Sequence, residues 1–69
     1  MKSIKLSNQT VEMREPKVRD ALAVDGIESE AKKEIKMISS LTQLTEDELT
    51  DMTLKDYGKL QKQLQSFLA

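Results

Sequence analysis

Apolar and polar residues change their spacing along this chain, and each change marks a different kind of element. Ile4 and Leu6 flank Lys5, and Val11 and Met13 flank Glu12. A period of two predicts strands with one apolar face. Ser7-Asn8-Gln9-Thr10 between them is turn-prone, because short polar side chains bond their own backbone there. The pattern predicts a hairpin over residues 1–14. Two strands alone are marginal in water, so the apolar face must pack on helices.

From Pro16 the spacing lengthens. Pro16 suits a first helical position, where its missing N–H costs nothing. Val18, Ala21, Leu22 and Ile27 make one short apolar face that Asp25-Gly26 closes, predicting a short helix or turn over 16–24. Ala31, Ile35 and Ile38 share a face with Leu41 at its margin, predicting a helix over 28–42 with Lys32, Lys33 and Lys36 roughly opposite. Glu28 and Lys32 stand as an acid-before-base pair one turn apart, worth about 0.2–0.5 kcal/mol. Thr45-Glu46-Asp47-Glu48 has the form of a capping box, in which Thr45 and Glu48 each satisfy the other's free backbone N–H. It predicts a short helix over 46–52. Thr53-Leu54-Lys55-Asp56 repeats the form more loosely and opens a helix over 54–68. Tyr57, Leu60, Leu64, Phe67 and Leu68 follow there at the three- and four-residue spacing of an amphipathic helix. Gly58 costs this helix about 1 kcal/mol relative to Ala, and would admit close approach of another backbone. The expected fold is α+β and predominantly helical: a short N-terminal β-hairpin followed by three or four helices, in one small domain over 1–69.

Composition narrows the chemistry. A chain of 69 residues buries a modest share of its surface and is marginally stable. With no cysteine and no histidine, disulfides, thiolate metal sites and Ser–His or Cys–His nucleophiles are excluded. Tyr57 and Phe67 are the only aromatic residues, so the core must be aliphatic. The formal charge of -1 gives no global pull toward nucleic acid or an anionic membrane. Ala21-Leu22-Ala23-Val24 is the longest apolar run, far short of a bilayer span. Met1–Thr10 lacks the apolar stretch of a signal peptide, which makes cytosol the expected compartment. Gly26 and Gly58 are isolated, so neither belongs to a phosphate-cradling loop. Glu46, Asp47 and Glu48 lack the alternation and central glycine of a calcium loop; acids there complement the helix macrodipole. No catalytic residue, cofactor or metal is expected, and the chain reads as a binding module rather than an enzyme.

Two surfaces stand out on the last helix. Tyr57, Leu60, Leu64, Phe67 and Leu68 form a stripe that serves either as core or as a face for docking a partner. Lys55, Lys59 and Lys62 form a basic stripe nearly opposite, either solvated or in contact with phosphate or an acidic partner helix.

Three motifs then fall in a characteristic order: Val11-Glu12-Met13-Arg14-Glu15-Pro16, Leu44-Thr45-Glu46-Asp47-Glu48-Leu49, and Met52-Thr53-Leu54-Lys55-Asp56-Tyr57, closing on Phe67-Leu68. In that order the chain resembles the tail assembly chaperones of contractile-tailed bacteriophages, including Mu-like and related prophage members. The lysine-rich segment Lys32–Lys36 and the short stretch before Val11 depart from that pattern. The resemblance implies a protein of the host cytoplasm, absent from the mature virion, that binds the long helical tape measure protein and keeps it soluble. It implies tail tube protein as a further partner, and no nucleic acid or membrane. Two alternatives come from the residues alone. Thr45–Met52 followed by Leu54–Leu68 has the outline of a helix-turn-helix regulator of DNA. The last helix would also suit a structural adaptor that forms a homo-oligomer.

Overall fold

The alternation near the start does form a hairpin. The computed structural model describes residues 1–69, and in it β1 (Lys2–Lys5) pairs antiparallel with β2 (Thr10–Met13), placing Ile4 opposite Val11. Between the strands the Leu6 N–H donates to the Gln9 carbonyl at 2.8 Å. Because side chains alternate across a strand, Ile4, Leu6, Val11 and Met13 all turn to one side, and all four are buried. Four helices follow: α1 (Val18–Ala23), α2 (Glu30–Thr42), α3 (Glu46–Thr50) and α4 (Leu54–Leu68). The chain is 57% helical and 12% strand, the α+β, mainly helical class that the spacing predicts.

One aliphatic cluster joins these elements. Ile38 and Leu41 of α2, Leu49 of α3, and Leu60 and Leu64 of α4 close over the four inward residues of the hairpin. Met13, Ile38 and Leu60 are fully shielded from solvent, so they sit at its centre. Each such side chain contributes roughly 1.5–3 kcal/mol by leaving water. Three polar ties fix the register around this cluster. The Arg14 N–H donates to the Leu41 carbonyl at 3.1 Å, joining the end of β2 to the end of α2. The Ser7 N–H and hydroxyl both donate to Asp56 Oδ1, at 3.2 and 2.8 Å, joining the hairpin turn to the first turn of α4.

The capping box is present at α3. Thr45 Oγ1 accepts the Glu48 N–H at 3.1 Å, and Glu48 Oε1 accepts the Thr45 N–H at 2.9 Å. At α4 only half of it forms. Thr53 Oγ1 accepts the Asp56 N–H at 3.2 Å, but the Asp56 carboxylate is turned to Ser7 instead of back to the Thr53 N–H. Helix α2 begins at Glu30 because the Ser29 hydroxyl caps it, accepting the Lys32 N–H at 3.3 Å. Glu28 therefore lies outside the helix, and the expected Glu28–Lys32 pair is replaced by Glu30–Lys33 at 3.7 Å. Gly58 admits no close backbone: a Cβ there would meet only the Gln61 side chain, at 3.9 Å. Gly26, at φ +92°, needs its freedom to turn the chain after α1.

Helix α1 departs most from expectation. Pro16 precedes it, and the helix starts at Val18 after its N-cap Lys17. The spacing predicts Val18 and Leu22 on an apolar face, yet they are 78% and 68% exposed. Asp20 explains the rotation. Its carboxylate accepts the Lys17 N–H at 2.7 Å and takes a two-pronged bond from Arg14, at 2.7 and 2.9 Å. Asp20 is 6% exposed. Residues two positions either side of it lie about 200° around the helix, so turning Asp20 inward turns Val18 and Leu22 out. The Arg14 guanidinium and the Lys17 N–H hold the Asp20 carboxyl down at about 2.

Candidate docking surfaces around the last helix

Helix α4 presents three faces. At about 100° per residue, Leu60 and Leu64 point to the core, Leu54, Tyr57, Gln61 and Leu68 to one flank, and Lys59, Lys62, Gln63 and Ser66 to the opposite flank. The expected apolar stripe is therefore split. Leu60 and Leu64 are 0% and 5% exposed and belong to the core; Tyr57 and Phe67 are half-buried; Leu68 is 64% exposed. Of the stripe, Leu68 and the outer edges of Tyr57 and Phe67 are what a visiting partner meets without opening the fold.

The sequence gives no sign of the most apolar depression. It is a notch of about 250 Å³ where α2, α3 and α4 meet, lined by Ile35, Leu49, Thr50, Met52, Leu54 and Tyr57. Leu49 forms its floor, 2% exposed, and Leu54 stands on its rim at 89% exposure. Leu54 occupies the first position of α4, directly after the cap Thr53. A second cleft of about 420 Å³ runs between α2 and α4, with Ala31, Met37, Leu64 and Leu68 as its apolar lining.

A polar latch separates the two openings. Glu34 Oε1 accepts from the Tyr57 hydroxyl at 2.9 Å and from Gln61 Nε2 at 2.8 Å, tying α2 to α4. Burial, and then the Glu34 carboxylate, push the Tyr57 phenol above its ordinary value. Tyr57 thus stays a neutral donor, with its ring on the notch and its hydroxyl on the latch.

The basic stripe also divides. Lys59 and Lys62 line a shallow basin of about 370 Å³ with Ser3, Ile4, Lys5, Gln63 and Ser66, while Lys55 lies outside it. The outward face of β1 brings Lys5 into the group, and Lys59 Nζ donates to the Lys5 carbonyl at 3.3 Å. That strand-to-helix contact spans most of the chain, so spacing alone does not show it.

Elsewhere, Glu48 is engaged in its cap, and no group of His, Cys, Asp or Glu is gathered to hold a metal ion. No helix is long and apolar enough to cross a membrane.

Fold and surfaces together define a small α+β module that offers an apolar notch and a basic basin on opposite flanks of one helix. The family model for phage tail assembly chaperone proteins, E, or 41 or 14, matches residues 7–69. The chain belongs to the phage tail assembly chaperone family. The match begins at the hairpin turn and contains all three motifs that carry the resemblance. No curated protein and no solved structure matches the chain.

Proposed function

We propose that this chaperone binds the tape measure protein in the host cytoplasm, keeps it soluble while the tail is assembled, and does not remain in the mature virion. Binding is stoichiometric and involves no turnover. Tail tube protein is the further partner in this reading. Family membership supports a role in tail assembly. The observation that carries the choice of client is Leu54, 89% exposed on the rim of a notch lined by Ile35, Leu49 and Met52. Helical clients dock apolar anchors, spaced three or four residues apart, into such openings. Covering a side chain like Leu54 gains roughly 1.5–3 kcal/mol, which the free protein forgoes.

Co-expression with the tape measure protein tests this. The client is expected to move from the insoluble to the soluble fraction and to co-purify with the chaperone. An unchanged solubility with nothing co-purifying overturns the reading.

A further inference from the structure

We propose that the basin between β1 and α4 binds an acidic helical segment of a second protein partner, independently of the apolar notch. Lys5, Lys59 and Lys62 surround this basin, and none has a carboxylate within salt-bridge distance: the ion pairs of the molecule are Arg14–Asp20 and Glu30–Lys33. Lys59 is also positioned, its ammonium resting on the Lys5 carbonyl at 3.3 Å. Ser3, Gln63 and Ser66 add hydrogen-bonding groups around the same opening, and Ile4 beneath it is sealed at 8% exposure. The basin is positive, and Ile4 is the one apolar residue in its lining.

Charge is segregated elsewhere in the chain in a way that sharpens the assignment. From Met37 to Leu54 there is no basic residue, and the acids Glu46, Asp47, Glu48 and Asp51 lie in or beside α3. With a net charge of -1, an extended polyanion that reached the basin would gain little from the molecule as a whole. Single-stranded nucleic acid would also want aromatic rings to stack on, and the basin has none. A short acidic protein segment fits better. Lys59 and Lys62 are one turn apart on α4, about 4.5 Å along its axis. Carboxylates one turn apart on a facing helix have a matching separation, about 5–6 Å. A second copy of this chain is a poor occupant. Its Glu30 and Glu34 are one turn apart, but Glu34 is engaged by Tyr57 and Gln61 and Glu30 by Lys33. Its Asp47 and Asp51 are also one turn apart, but α3 ends at Thr50 and offers no further turn.

The opposed flanks of α4 make this site separable from the notch. Lys59 and Gln61 are two residues apart, about 200° around the helix, so occupancy of one flank leaves the other open. The proposal stands whether or not the tape measure protein is the client of the notch.

The test uses the full chain and a blocked helical peptide with glutamate at every fourth position, followed by backbone amide shifts in NMR. At low salt, saturable shifts are expected over Ser3–Lys5 and Lys59–Ser66. K59E/K62E should weaken binding about tenfold, since two attractive pairs become repulsive, with the thermal midpoint unchanged. K32E/K36E should bind as the unaltered chain does. If the charge-reversed variant fails to fold, K59Q/K62Q carries the same comparison with a smaller loss. Equal loss in K32E/K36E, no saturable shift, or tighter binding of duplex DNA to the same residues overturns the proposal. So does concentration-dependent sedimentation that K59E/K62E abolishes, which would make a second copy the occupant. The tape measure protein, if it co-purifies with the unaltered chain, should co-purify equally with K59E/K62E; its loss would show that the two flanks are one site.

Discussion

Helices α4 and α1 are held to the same body by different forces. α4 is held by aliphatic burial: Leu60 and Leu64 enter the cluster formed by the hairpin and α2. α1 is held largely by charge, with Asp20 turned inward onto Arg14 and the Lys17 N–H; Val24 at its C-cap is its one buried apolar residue, while Val18 and Leu22 are left outside. The physical consequences differ. Burial depends little on pH or salt, and it rises with the area removed from water. An ion pair on a partly open arginine is screened by salt and lost when the carboxylate is protonated. The molecule thus has a firm body and a small helix whose attachment responds to its surroundings.

The strongest way to break this comparison is to weaken the body. Leu60→Ala removes a fully buried side chain at the centre of the cluster, a change that costs about 2–5 kcal/mol. A chain of this length has only about 3–10 kcal/mol in total, so the variant should be largely unfolded at 37 °C. Leu64→Asp should be worse, because it places a charge where Leu64 is 5% exposed. Far-ultraviolet circular dichroism during urea titration measures both. A Leu60→Ala protein as stable as the unaltered chain would show that the helix is not anchored through its buried face.

Asp20→Asn tests the other region. It keeps the shape and discards the charge, and should lower the thermal midpoint by roughly 5 °C, less than Leu60→Ala. The pH dependence is the sharper readout. Unfolded, the carboxyl titrates near 3.8; folded, it is held at about 2 by Arg14 and the Lys17 N–H. Between those values the unfolded chain binds the proton and the folded chain does not, so acid favours unfolding. This contribution is therefore present above about pH 4 and is lost as pH falls toward 2. Asp20→Asn should lack that loss, seen as a flatter midpoint across the same window. Identical acid profiles would leave α1 without its electrostatic anchor.

How much of this was legible in the sequence follows from the range of each interaction. The hairpin alternation and the Thr45–Glu48 box involve neighbours within a few residues, so spacing reveals them. The inward turn of Asp20 is hidden because spacing favours apolar residues for the core, and an ionised carboxylate enters a core only when paired. Arg14 stands just six residues away, and the pair was there to be read. The ties that build the surfaces are long-range. Ser7 meets Asp56 across 49 positions and Lys59 meets Lys5 across 54. Periodicity carries no signal for either. It grouped Lys55 with Lys59 and Lys62, and it could not show that Leu60 and Leu64 would be sealed while Leu54 remained open.

Tyr57 lies where body and surface meet, and Tyr57→Phe sharpens the boundary. The variant loses the hydroxyl bond to Glu34 but keeps the Gln61 bond to the same oxygen, so it should cost about 1 kcal/mol. Tyr57 is the only tyrosine in the chain, so phenolate absorbance reports on it alone. Unfolded, the phenol ionises near 10; folded, burial and Glu34 keep the proton on beyond that. As pH rises past 10 the unfolded chain releases a proton that the folded chain retains, and stability falls. Phenolate should therefore appear only with unfolding, as judged by circular dichroism on the same samples. Phenolate appearing near pH 10 in a still-folded chain would mean that the latch is open in solution.

Leu54→Glu should have the smallest effect on the fold, and that makes it the most informative variant for docking. Leu54 is 89% exposed and its loss empties no cavity, so the change in stability should lie within about 0.5 kcal/mol. A glutamate in the first turn of α4 even favours the helix, through the macrodipole at its N-terminus. Client binding should respond in the opposite sense, because a carboxylate on the rim of the notch must be desolvated when an apolar anchor enters. Co-purification of the tape measure protein is expected to fall sharply while the urea midpoint stays in place. Leu60→Ala cannot make this separation, since it loses fold and docking together. Undiminished co-purification with a normally folded Leu54→Glu chain would remove the notch as the docking surface, and a large loss of stability would place Leu54 in the firm body of the molecule after all.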